Sequence, residues 1–130
     1  MRLSQPHPEV TAADVERVVR RDFPPEHVSS VLATLSEYGG ENFHREADRV
    51  RMAVLKLANR DLEQLRYWTE QAKCDYRDVL SPAEYPLYTK KWGRMDRLTE
   101  EEQKKIIDAD WAQYQNWFKK WASQESDARS

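Results

Sequence analysis

The chain has one cysteine and three glycines in 130 residues, a net charge of only −2, and no long apolar run. Each scarcity excludes a class of protein. Lone Cys74 excludes an internal disulfide and a cysteine-built zinc site. Glycines at 39, 40 and 93 supply no glycine-rich cradle for a phosphate or dinucleotide, and no GxSxG, HExxH or P-loop pattern occurs. Without a stretch apolar enough for a signal peptide or a membrane span, a cytoplasmic protein without membrane association is expected. Lys and Arg number 21 against 23 Asp and Glu, so no overall positive field draws the chain to nucleic acid or anionic lipid, and such binding would need a local patch.

What the chain does have is aromatic residues, unevenly placed. Eleven of its fourteen, including Trp68, Trp92, Trp111, Trp117 and Trp121, lie beyond residue 66. Ile107, Trp111, Tyr114, Phe118 and Trp121 advance by four, three, four and three residues, which puts them on one stripe of a helix. Such a stripe has to be covered, either by the rest of the chain or by another protein. With 39% hydrophobic and 34% charged residues, the composition fits a single compact domain with heavily charged outer faces.

The remaining periodicity is helical throughout, and no segment alternates as a strand would. Thr11 and Asp14 form a capping box ahead of a helix over 11–21 carrying Val15, Val18 and Val19. Pro24-Pro25 ends it and opens a second helix with Val28, Val31, Leu32 and Leu35 on one face, stopped at Gly39-Gly40. Phe43, Ala47, Val50, Val54 and Leu57 mark a third helix, 43–58, closed by Asn59. Asp61 starts a fourth, whose stripe runs from Leu62 to Val79 and ends at Ser81-Pro82. Residues 82–98 lack a period but are rich in apolar side chains, and are expected to be an ordered loop with one helical turn. Thr99 and Glu102 box the head of a fifth helix, 99–122. The expectation is an all-α single domain, 1–130, of about five helices with a long ordered loop before the aromatic-rich helix, fraying over 1–10 and 123–130.

Two stretches carry a resemblance. Arg49-Val-Arg-Met-Ala-Val-Leu-Lys-Leu-Ala58 and Asp75-Tyr-Arg-Asp-Val-Leu-Ser-Pro-Ala-Glu-Tyr-Pro86 resemble a family of small, functionally unassigned bacterial helical proteins with a similar helix followed by a "DYRDVL..AEYP" segment. The match spans about residues 15–86 and implies a bacterial helical protein. It implies no activity, and residues 87–130 extend beyond it.

Three functional readings follow from the residues. The leading one is a non-catalytic interaction domain that binds a protein partner or associates with itself, using Tyr114, Trp117 and Trp121, because surplus aromatics mark interfaces as well as cores. Trp117 stands off the main stripe, so the apolar face of the helix is wide. The second is an enzyme or small-ligand site built from Asp75, Arg77, Asp78, Glu84 and Tyr85. Here the aspartates flank a potential anion-binding arginine, and Glu84 and Tyr85 complete a polar network with it. These residues discriminate for a site only if they share one pocket. The third is nucleic-acid binding through Tyr88, Lys90, Lys91, Trp92, Arg94 and Arg97, where cations interleave with rings. Glu100, Glu101 and Glu102 follow at once and rank this reading last. Catalytic and metal roles are not expected. His44 and Glu46 are two apart and face different ways on a helix, His7 and His27 stand in or beside proline segments, and Cys74 sits between Glu70 and Asp78, poor surroundings for a nucleophile. No cofactor is expected.

Overall fold

The first helix, α1 (Ala12–Asp22), starts where the sequence predicts, and both bonds of the Thr11–Asp14 capping box are formed. The computed structural model describes residues 5–40 and 46–120. Across them the chain is all-α: α2 (Pro25–Leu35), α3 (Ala47–Ala58), α4 (Leu62–Cys74), α5 (Arg77–Glu84), α6 (Pro86–Lys90), a 3-10 turn (Trp92–Arg97) and α7 (Glu100–Phe118). The expected start of α3 at Phe43 and Trp121 lie outside the described residues, while the last helix, expected to reach 122, ends at Phe118 with Lys119 as its C-cap.

Helix α3 is the central element, packed against α1, α4 and α5. Its sequence shows why. Met52-Ala-Val-Leu55 is an unbroken apolar run, and Val50, Met52, Ala53, Val54 and Leu55 are all at most 1% exposed. A helix apolar nearly all round is stable only when other helices surround it. Val15, Val18 and Val19 of α1, Val28, Val31 and Leu35 of α2, Leu65 and Ala72 of α4, Val79, Leu80 and Ala83 of α5, and Tyr114 of α7 join it in the main core. Each such side chain contributes about 1.5–3 kcal/mol on full burial.

The count of about five helices is corrected at two places. The long fourth helix is two. It stops at Cys74, Asp75 turns extended, and the Asp75 carboxylate accepts the Arg77 backbone N–H at 3.0 Å, which restarts the chain as α5. Pro82, expected to end the helix, lies inside α5. The carbonyl it cannot serve belongs to Asp78, an exposed residue. The segment 82–98 is ordered as expected but more regular, folding as the end of α5, α6 and the 3-10 turn. Its side chains Tyr88 and Met95 join Ile107 in a second, smaller core cluster. Buried Gln103 of α7 holds the 3-10 turn by donating to the Met95 and Leu98 carbonyls.

Residues 5–10 were also expected to fray. They pack instead: Pro8 is buried, Val10 touches the main core, and Gln5, Pro6 and Pro8 lie against Tyr85, Trp111 and Tyr114. Among the described residues no helix is long and apolar enough to cross a membrane.

Candidate interaction surface

The most exposed large apolar side chain of the described chain is Trp92, at 59%. It stands at the mouth of a groove of about 490 Å³ lined by Pro82 and Ser81 of α5, Tyr88 and Thr89 of α6, Tyr85 between them, and Asp78 on the rim. The three rings form a series. Tyr85 and Tyr88 meet edge-to-face at 6.3 Å, and Tyr88 and Trp92 are tilted at 5.7 Å. Tyr88 is the buried floor and Trp92 the exposed wall.

The groove is held from below by α7. Asp110, 2% exposed, accepts the Leu87 and Tyr88 backbone N–H groups at 2.9 and 3.0 Å, satisfying two of the donors that the first turn of α6 leaves open. Burial pushes its carboxyl above the usual value, opposed by those two N–H bonds and by the Lys56 charge. Thr89 Oγ1 donates back to the Ser81 and Tyr85 carbonyls and ties α6 to α5. The wall on the α5 side is fixed through Glu84, which receives a two-pronged bond from Arg49 of α3 at 2.6 and 2.7 Å. Arg49 and Glu84 are 7% and 4% exposed, and Glu46 adds a second carboxylate at 3.0 Å. Hydrogen bonding to Glu84 raises the Arg49 pKa further above its ordinary value, outweighing the effect of burial.

The proposed ligand residues do not share a pocket. Arg77 is paired with Asp75 at 3.0 Å on an exposed surface, and its guanidinium holds the Asp75 carboxyl below its usual range. Glu84 belongs to Arg49, not to Arg77. Asp75 and Arg77 line one cavity with Tyr38 and Lys73, Asp78 lines the aromatic groove, and Glu84 lines a small third space beneath Pro6 and Pro8. Tyr85 alone borders two of them. The single Arg77 network read from the sequence is therefore corrected to two separate ones.

The loop residues divide differently. Trp92, Lys90, Arg94 and Arg97 are exposed and Lys91 is half-exposed, while Tyr88 is buried. None of the four cations lines the groove.

In the aromatic helix, Tyr114 is 1% exposed and stacks on Phe118 at 6.0 Å. Its burial removes it from any surface a partner meets. Trp117 is half-buried, edge-on to Tyr114, with the Arg21 guanidinium 5.0 Å from its ring centre. Arg21 Nη1 also donates to the Trp117 carbonyl at 2.8 Å, and Arg17 Nη2 donates to that of Phe118 at 2.7 Å while lying 5.2 Å over the Phe118 ring. The aromatic stripe is thus largely covered from within, by the main core and by two arginines of α1. Its third interface candidate, Trp121, lies outside the described residues.

Sequence reasoning missed Arg49, Asp110, Arg17 and Arg21. For Arg49 a signal existed: it lies one turn before Ala53, within the helix whose apolar run announces burial on nearly all sides. Among the described residues no three His, Cys, Asp or Glu side chains converge as a metal site. No family model, curated protein or solved structure matches the chain.

Proposed function

We propose that this all-α chain is a non-catalytic protein-interaction domain whose docking surface is the groove between α5 and the α6–3-10 segment. One observation carries the reading: a tryptophan 59% exposed at the edge of an aromatic-lined groove, on a chain that buries most of its other apolar side chains. Exposed aromatic groups beside a formed concavity are the usual anchors of protein recognition. The buried ion pair Arg49–Glu84 is satisfied within the fold and does not line the groove. The resemblance over 15–86 suggests a bacterial protein, and the lack of a long apolar run in the sequence a cytoplasmic one.

A photo-crosslinking amino acid in place of Trp92 tests the reading in cells. Capture of a discrete protein at position 92, absent with the same group at exposed Glu63 of α4, is the expected result. Equal labelling at both positions would remove the groove from consideration. Sedimentation of the purified chain shows whether the captured protein is a second copy.

Nucleic acid is the second reading, favoured by the exposure of Lys90, Arg94 and Arg97 beside Trp92. It requires binding to single strands that weakens with salt and is lost in the Lys90→Glu/Lys91→Glu double variant.

A further inference from the structure

Two polar atoms beside the small cavity under Pro6 and Pro8 are left unserved by the fold. Gln5 Nε2 and Tyr114 Oη are both buried without a hydrogen-bond partner among the described residues, and both residues line this one cavity of about 10 Å³. They come from distant parts of the chain, Gln5 from the N-terminal segment and Tyr114, 1% exposed, from α7. Two such groups left bare would each cost the fold their full desolvation. We infer that one water molecule is a fixed part of this fold, bound in the cavity as a bridge from Gln5 Nε2 to Tyr114 Oη.

Size and chemistry select the occupant. A cavity of about 10 Å³ has room for a single water-sized particle, so a molecule with several heavy atoms does not fit. The Gln5 amide nitrogen is a donor only, so the occupant must accept a hydrogen bond, which a metal or ammonium cation does not do. Glu84 and Asp110 also line the cavity and keep lone pairs beyond the bonds they accept from Arg49, Leu87 and Tyr88. These carboxylates repel a halide and favour an occupant that donates as well. Water both accepts and donates, and internal waters are held by two to four such polar neighbours.

The bridge bears on how the N-terminal segment is seated. Among the described residues no hydrogen bond joins residues 5–10 to the helices, which they meet through packing. The water therefore supplies the polar link between this segment and α7, and holds it against Tyr85, Trp111 and Tyr114.

Magnetic relaxation dispersion of the solvent oxygen nucleus counts waters held inside a protein and tests the inference on the full chain. Gln5→Leu should lower the count by about one, and so should Gln5→Leu/Tyr114→Phe, whereas Gln64→Leu at an exposed position of α4 should leave it unchanged. Gln5 stands outside every helix, so Gln5→Leu should keep the parent's far-ultraviolet spectrum. Equal counts in the parent and both cavity variants would overturn the inference, because the cavity is then dry or Gln5 turns to bond Tyr114 directly. An equal fall in Gln64→Leu would overturn it too. Backbone nitrogen relaxation at His7 gives a second readout: His7 should be more mobile in Gln5→Leu than in the parent, and unchanged order there would overturn the bridging role.

Discussion

Arg49 and Glu84 show what burying charge demands of single residues. Two ions taken out of water are stable here because their geometry is two-pronged and Glu46 adds to it. Glu84→Leu leaves a buried guanidinium with only a partly exposed carboxylate, and should cost about 3–5 kcal/mol in urea denaturation. The Arg49→Met/Glu84→Leu double variant should recover much of that loss, and equal losses in single and double variants would refute the pairing argument. Tyr114 is the opposite case. Its hydroxyl is buried without a hydrogen-bond partner among the described residues, so Tyr114→Phe should change stability near pH 7 by less than about 1 kcal/mol. Burial also raises its phenol pKa above the ordinary 10.0. A folded pKa above the unfolded one means that the contribution is whole below the unfolded value and is lost as pH climbs towards the folded one. The urea midpoint should accordingly fall more steeply between about pH 9.5 and 11 for the parent chain than for Tyr114→Phe.

Helices in this fold are finished by arginines from their neighbours. The last carbonyls of α7 accept from Arg17 and Arg21 of α1, and those of α2 and its turn accept from Arg51 of α3, whose Nη2 reaches the Tyr38 carbonyl at 2.6 Å. Each such bond satisfies a group that the helix leaves open and binds two elements together. Arg21→Ala removes the cap, the ring contact with Trp117 and the nearer of the two arginines paired with Asp22 at once, and should cost about 3 kcal/mol. Arg17→Ala, at a less buried position, should cost about 1 kcal/mol. Trp117→Ala should cost about 2 kcal/mol with no change in sedimentation, half the loss expected of a fully buried tryptophan. A stable Trp117→Ala variant that loses self-association would return Trp117 to the interface. At the α2 end, Gly39 adopts a φ of 108°, and a Cβ there would stand 2.5 Å from the Arg51 guanidinium. Gly39→Ala should therefore loosen the α2–α3 junction, seen as faster amide exchange at Tyr38.

For the molecule as a whole, stability and recognition are assigned to different aromatic groups. Tyr38, Tyr88 and Tyr114 are buried, whereas Trp92 and Tyr67 are exposed, Trp92 the more so. Trp92→Ala should thus leave the stability in urea within about 0.5 kcal/mol of the parent while weakening binding of any protein identified by the crosslink. A large loss of stability in this variant would make Trp92 a structural residue. The second core cluster of Tyr88, Met95 and Ile107 supports this division, because the side chains that anchor α6 and the 3-10 turn to α7 are buried ones and Trp92 is not among them.

The all-α class and the two capping boxes were legible in the sequence because they rest on local chemistry: side-chain period, and a hydroxyl three residues from a carboxylate. The split of the fourth helix was hidden, since Asp75 and Pro82 each permit a break and only the Asp75–Arg77 turn shows which is used. The pairing of charges was hidden as well. Arg77 stands close in sequence to Glu84, yet the partner is Arg49, 35 positions away, because the packing of α3 on α5 brings those two ends together. Periodicity likewise showed that the aromatic stripe of α7 needed a cover but not what covers it. That was decided by α1, whose Arg17 and Arg21 lie over the Phe118 and Trp117 rings, leaving Trp117 half-buried and Trp92 exposed. Sequence determines such matters when the interacting groups are neighbours along the chain, and tertiary structure decides them when the neighbours are brought together only by folding.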